Sequence, residues 1–465
     1  MDIKELYQLY LSHPLITTDS RNCPEGSIFL ALKGASFDGN KFALQALEKG
    51  CAYAIVDEAP LNGPEGGRNY PIYTNDNLPS FGGEGGGFIL VDDCLQTYKD
   101  LAREHRRRFD IPVIGITGTN GKTTTKELIR AVLAEDYRVM ATEGNFNNDV
   151  GVPKTLFRLD DQADIAVVEM GASHPGDIKT LVETAEPTSG IITNVGRAHL
   201  QGFGSFEGVC KTKGELYDFL CRHECPVFVN RDNEHLMRMI EERATSQGAE
   251  ADLYFYGQSD NPDILIRGEV VSCAPFLTFR WREQDHDAGY TSEWMEVETH
   301  LIGAYNLDNL LAAITIGYVN NVPFDHINHA LASYVPTNNR SQLTKTEHNS
   351  LIVDAYNANP SSMQAAIDNF KLVEAKQKMA ILGMMGELGD VSEEEHRKVI
   401  QMLREAAFDQ VWLVGAEFQK LPSPFRTFAD VEEVKQEIAA HKPEGMTILI
   451  KGSNFTHLFE LPPLL

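Results

Sequence analysis

Residues 115 to 124 read Gly-Ile-Thr-Gly-Thr-Asn-Gly-Lys-Thr-Thr, between the apolar run IPVIGIT and the amphipathic run TTTKELIRAVLAED. A glycine-containing turn between a strand and a helix lets backbone N–H groups at the helix start cradle a polyphosphate. Lys122 is placed to neutralise the β and γ oxygens and Thr123 to hold Mg2+. The literal G-x-x-x-x-G-K-[ST] spacing is not met, because Ile116 stands where its first glycine would fall; glycines occur instead at 115, 118 and 121. Strand, GKT and helix are still in register, so the segment specifies ATP or GTP use without specifying a reaction. Nucleotide contacts are expected from Gly115, Thr117, Gly118, Thr119, Asn120, Gly121, Lys122, Thr123 and Thr124.

Three further residues have types suited to metal chemistry. Glu169 ends the apolar run IAVVEM, and a carboxylate at the carboxyl edge of a sheet strand can meet Mg2+ beside bound phosphates. His199, in TNVGRAHL after another strand, is a second candidate ligand. Lys213, in KTKGELYDFL, reads on its own chemistry as a solvated lysine at the start of a helix. Cys221, His223 and Cys225 are close in sequence, but no second ligand pair follows at zinc spacing, and they read as ordinary residues near a helix end.

The elements that must position these groups follow from periodicity. Residues 1 to about 105 alternate short apolar runs with turns (SIFLALKG, KFALQALEKG, AYAIVDE, GFILVDD), which makes a small α/β unit; the Gly-rich stretch from Leu61 to Gly87 reads as long loops. The charged stretch REHRRRFD precedes an abrupt apolar strand and sets a boundary near residue 108. From Ile111, strands alternate with helices, as a parallel sheet covered on both faces requires. FLTFRW and WMEVETHLIG read as antiparallel additions, closed by the helix after Asn306. A third α/β unit starts near Pro336, with strands SLIVDAY, KMAILG, QVWLVG and MTILIKG. The expected fold class is α/β in three domains: 1–108, a central mostly parallel phosphate-loop domain at 109–334, and an open, Rossmann-like sheet at 335–465.

At 465 residues the chain is long enough for several cores, while a net charge of -26 argues against general binding to nucleic acid or anionic membranes. No run is long enough for a membrane span, and the N-terminus lacks a basic region followed by an apolar stretch, so a cytoplasmic location is expected. The seven scattered cysteines read as reduced thiols. A monomer is expected.

Taken together, GITGTNGKTTTKE, the EMGAS segment at Glu169, NVGRAHL at His199 and KTKGELY at Lys213 resemble the successive motifs of the Mur ligases of peptidoglycan synthesis. The resemblance covers nearly the whole chain. It implies an ATP- and Mg2+-dependent amide-bond ligase working through an acyl phosphate. Lys122 and Thr123 would then serve triphosphate and metal, Glu169 and His199 would be metal ligands, and Lys213 would be carbamylated so as to bind a second Mg2+. Asn306 and Asn309 look like the family's adenine-side asparagines. Arg340, in NNRSQ, and Asp354, in DAYNANP, resemble residues that reach the nucleotide from the third domain. Lys122, Lys213, His199 and Arg340 are thereby expected to be catalytic. TTDSRNCPEGSIFLALKGASFDGNKF resembles the family's uridine-diphosphate-sugar module, with Ser20 and Arg21 at the diphosphate, and Asn357 is expected to contact substrate.

Within the family, DAYNANP and GELGDVSEEEHRKV resemble the branch whose substrates are UDP-N-acetylmuramoyl-tripeptide and D-alanyl-D-alanine, and no DNPR-type acceptor signature is present. Met384 and Asn454 stand where that resemblance leads one to expect an aspartate and an arginine. Two alternatives remain open from the residues. One is a related ligase adding another amino acid, as the third peptide residue or as a folate glutamate. The other is a nucleotide-binding module that does not ligate.

Overall fold

The computed structural model describes residues 2–34, 36–59, 70–74, 77, 86–247, 251–273, 275–285, 289–336 and 342–465. The chain divides into two compact units, one formed by 1–111, 142–163 and 180–186, the other by 112–141, 164–179 and 187–465.

In the first unit, short apolar runs make an all-parallel sheet in the order Ile16–Thr17, Ile28–Leu30, Tyr53–Val56, Gly87–Leu90, Ile72–Tyr73. The strand Ile72–Tyr73 falls inside the stretch read as loops, most of which lies outside the described residues. The helix Cys94–Arg107 packs its buried residues Tyr98, Leu101, Ala102 and His105 inward at helical spacing. His105 is buried with Nδ1 at 3.0 Å from the Tyr7 hydroxyl and Nε2 at 3.0 Å from the Leu159 carbonyl.

The second unit holds two sheets. The larger runs from Val139–Ala141 through Ile165–Glu169, Val113–Thr117, Ser189–Ile192, Val227–Asn230 and Leu253–Gly257 to Ile264–Cys273, all parallel. Phe276–Asp285 and Met295–Ile302 then continue it antiparallel, as expected from their alternating pattern. VFVN and LYFYG, at 227–230 and 253–257, are strands that the sequence reading did not single out. The helices Lys122–Leu133 and Asn306–Val319 pack on this sheet through Leu128, Ile129, Val132, Leu310, Leu311 and Ile314.

The other sheet has the order Gln342–Lys345, Ser350–Asp354, Thr447–Lys451, Lys378–Gly383, Gln410–Val414, Arg426–Phe428. It is parallel except for its first strand, which pairs antiparallel. The four expected strands are present; the two edge strands, QLTK and RTF, are short, and their sequences carry little periodicity.

Candidate active site

Register brings the site together. Glu169 lies opposite Ile116, and Ile192 lies opposite Thr117, so the loops after three adjacent strands leave from the same carboxyl edge of the sheet. The loop from Gly118 to Gly121 turns directly into the helix Lys122–Leu133. Gly118 has φ +149°, and a Cβ there would lie 1.9 Å from Thr193 Oγ1, so no other residue fits. Gly121 is left-handed at φ +80°, and its Cβ would fall 2.7 Å from Asn309 Oδ1. By contrast Gly115 lies inside its strand, where a Cβ would press on Pro187, Leu216 and Met170 at 3.1–3.3 Å; packing accounts for this glycine.

The next loop staples the phosphate loop in place. Thr119 N–H donates to Asn194 O (2.9 Å), Asn120 N–H to Asn194 Oδ1 (3.0 Å), and Thr193 Oγ1 to Asn120 O (2.7 Å). Thr119 Oγ1 accepts from Gly196 N–H at 2.9 Å. Lys122 Nζ donates to the carbonyls of Gly118 (2.7 Å) and Thr119 (3.1 Å), which folds its ammonium over the loop. Thr123 Oγ1 donates to Glu169 Oε2 at 2.9 Å, and both residues are buried. Thr117 Oγ1 is buried with no hydrogen-bond partner among the described residues, and Thr124 is half-buried in the first helical turn.

The second cluster gathers around Lys213. This residue lies in the middle of the helix Phe206–Arg222, not at its start, and is only 2% exposed; the solvated reading is corrected. Helical spacing explains the burial, because Val209, Thr212, Lys213, Leu216 and Leu220 all lie on the buried face. The Lys213 ammonium sits 5.8 Å from the centre of the Phe203 ring. Burial first, and then repulsion from Lys122, hold its pKa well below the ordinary lysine value, against the opposing carboxylates of Asp177 and Glu215.

His199 adopts φ +50° and faces the carboxylate of Glu387, itself at φ +60°. Its pKa is lowered mainly by burial; Glu387 opposes that, while the charges of Lys122 and Lys213 add to it. Lys122, His199 and Lys213 thus share one electrostatic neighbourhood, as their spacing alone could not show.

The remaining expected residues have these places. Asn309 Oδ1 accepts from Thr125 Oγ1 (3.0 Å), Asn309 Nδ2 donates to Asn306 Oδ1 (2.9 Å), and Asn306 Nδ2 donates to Ile302 O (2.8 Å), so this buried pair braces the phosphate-loop helix. Asp354 accepts from Lys451 Nζ at 2.6 Å, and the same ammonium, 1% exposed, reaches Asn357 O at 3.1 Å. Arg340 lies outside the described residues. In the first unit, Arg21 is exposed and forks onto Asp19 with two 2.8 Å bonds, while the Ser20 carbonyl accepts from Lys49 Nζ at 2.7 Å.

Sequence reasoning missed Asn194, Glu387, Asn359 and Lys451. Asn359 caps the helix Pro360–Leu372 and also donates from Nδ2 to Asn120 Oδ1 at 2.8 Å. The signal for it was present, as an asparagine before proline at a helix start. Met384 packs against Gly415, and Asn454 N–H donates to the Tyr356 carbonyl at 2.9 Å.

A phosphate loop at the carboxyl edge of a parallel sheet, with a buried threonine–carboxylate pair beside it, defines a nucleoside-triphosphate-binding α/β fold. The oxygen donors Thr123 and Glu169 suit a hard cation such as Mg2+. Among the described residues no three His, Cys, Asp or Glu side chains converge at one point.

Comparison with known proteins agrees. Residues 14–106 match the Mur ligase family catalytic domain, 116–317 the Mur ligase middle domain, and 339–454 the Mur ligase glutamate ligase domain. The chain is 32% identical to the UDP-N-acetylmuramoyl-tripeptide--D-alanyl-D-alanine ligase of Bacillus subtilis, over 96% of this chain and 92% of that protein. It is 30% identical to the Escherichia coli protein of the same name, covering 96% and 92%. The crystal structure of MurF from Acinetobacter baumannii superposes with a TM-score of 0.80 at 27% identity, over 98% of this chain and 96% of that one. MurF from Thermotoga maritima, solved with ADP, shares the fold with a TM-score of 0.81 at 24% identity, covering 100% and 98%. The chain belongs to the Mur ligase family.

Proposed function

We propose that this protein joins D-alanyl-D-alanine to UDP-N-acetylmuramoyl-tripeptide with hydrolysis of ATP to ADP and phosphate, in the synthesis of peptidoglycan precursors. The observation that carries the reading is the meeting of Lys122, His199 and a desolvated Lys213 beside the Thr123–Glu169 pair. The named relatives supply the substrates.

The tripeptide's terminal carboxylate attacks the γ-phosphorus of ATP, giving an acyl phosphate and ADP. The dipeptide's amine then attacks the acyl carbon, and the tetrahedral intermediate collapses to amide and phosphate. Positioning and charge stabilisation supply most of the acceleration, because phosphoryl transfer leaves the protein little covalent work. Lys122 swings from its own loop carbonyls to the β and γ oxygens. Thr123, Glu169 and His199 would hold Mg2+, which when bound would supply neutralisation of the phosphate charge.

Lys213, whose burial lowers its pKa and so favours the free amine, takes up carbon dioxide: the amine nitrogen bonds to carbon, a proton leaves that nitrogen, and an anionic carbamate results. Asn306 and Asn309 lie on the adenine side. Asp354 and Arg340 serve the nucleotide from the third domain, with Asn357 at the substrate and Ser20 and Arg21 at the uridine diphosphate. The proposed domain bounds are 1–108, 109–334 and 335–465. Among the described residues no helix is long and apolar enough to cross a membrane, which is compatible with the proposed cytoplasmic location.

The test is phosphate release with ATP, Mg2+ and UDP-N-acetylmuramoyl-tripeptide, comparing D-alanyl-D-alanine with single amino acids. Release with the dipeptide alone is expected. Release with a different amine would keep the ligase and change its acceptor, directing attention to Met384 and Asn454.

A further inference from the structure

The carboxylate facing His199 comes from a different sheet. Glu387 lies between the strand Lys378–Gly383 and the helix Ser392–Ala406, whereas His199 leaves the edge of the central sheet. Three contacts dock this loop on the short helix Leu200–Phe203. The Glu387 carboxylate meets His199 Nδ1, the Glu387 carbonyl accepts from Gln201 N–H at 3.3 Å, and Val391 packs on the cluster of Leu200, Phe203 and Val209.

From its own side the loop is held by the fully buried His396. Its Nε2 accepts from Met385 N–H at 3.0 Å, so its Nδ1 carries the proton and donates to Ser392 O at 2.7 Å. Non-glycine residues in the left-handed region are costly and persist only where the surroundings hold them; here both partners, His199 and Glu387, are of this kind.

A carboxylate close to one imidazole nitrogen requires a proton on that nitrogen, because two facing lone pairs repel. The other nitrogen, Nε2, then keeps its lone pair in the neutral ring, which is the form that binds a metal ion. The group that faces His199 Nδ1 in the structure is the Glu387 carboxylate. We propose that Glu387 is a positioning residue supplied by the third sheet, which fixes the tautomer and ring orientation of His199 so that this metal ligand is set only when the Gly386–Val391 loop is docked. The proposal rests on the reading of His199 as a metal ligand. Its consequence is reciprocal: whatever docking adds to metal affinity, metal adds to docking.

The experiment uses the full chain with Mn2+ as the probe, in the presence of a non-hydrolysable ATP analogue. Affinity is read by electron paramagnetic resonance, and imidazole ligation by the 14N coupling in the pulsed experiment. Glu387→Ala is expected to weaken the His199-dependent Mn2+ site by about 10- to 100-fold. Val391→Asp, which disturbs docking without touching the imidazole, should weaken it in the same direction. In a His199→Ala background, Glu387→Ala should add nothing. Unchanged affinity and 14N coupling in Glu387→Ala would overturn the proposal alone, as would a full Glu387→Ala effect persisting without His199. Loss of neither Mn2+ affinity nor 14N coupling in His199→Ala would overturn it together with the metal assignment.

Discussion

Burial to 2% exposure and repulsion from a neighbouring lysine hold the pKa of Lys213 well below the ordinary lysine value, and this is what separates it from a surface lysine of the same helix. Lys213→Ala is expected to lose ligation activity, with partial recovery on adding short carboxylates that stand in for the carbamate. Lys122→Ala should lose phosphate release with no such recovery. Full activity of Lys213→Ala without additive would refute the carbamate.

Gly118 gives an independent check on the phosphate loop. Backbone in its region costs a side chain roughly 1–3 kcal/mol, and its Cβ would also collide with Thr193 Oγ1, which holds Asn120. Titration calorimetry of Gly118→Ala with an ATP analogue should show at least about a tenfold loss of affinity, the equivalent of ~1.4 kcal/mol. Adding Thr193→Ala should recover only part of it, since the strain remains.

Among the elements, the segment from Asp354 to Pro360 depends on groups far away in sequence. Lys451, at the end of the neighbouring strand, grips both the Asp354 carboxylate and the Asn357 carbonyl. Lys451→Met keeps the packing but strands a partly buried carboxylate. We expect a loss of about 3 kcal/mol, the lower end for a broken buried pair because Asp354 retains some exposure. Urea unfolding measures this, and a change below about 0.5 kcal/mol, within the range of an ordinary surface substitution, would show that the pair is not needed for stability. The same variant should raise the KM for ATP if Asp354 serves the nucleotide.

Across the whole molecule, two of the described histidines are buried, His105 in the first compact unit and His396 in the second. Burial lowers the pKa of both from the ordinary 6.5. The unfolded chain therefore binds protons in a range where the folded chain resists them. Stability contributed this way is present above the unfolded value and is lost as pH falls from 6.5 toward the folded values. Denaturation midpoints should fall between about pH 7.5 and 5.5, and His396→Gln should flatten the dependence of the second unit. An unchanged slope would exclude His396 as its source.

The sequence by itself determined the local elements and the phosphate loop, because apolar period, glycine placement and the GKT step act over a few residues. It also marked Glu169, His199 and Lys213 through their motifs. It left the short edge strands and the strands VFVN and LYFYG unread, since their identity comes from pairing with neighbours. Only the tertiary structure decided that Lys213 is buried, that Asn194 staples the phosphate loop, and that Lys451 and Glu387 face Asp354 and His199. The physical reason is distance along the chain: register and loop docking bring these groups together, and desolvation then sets their charge.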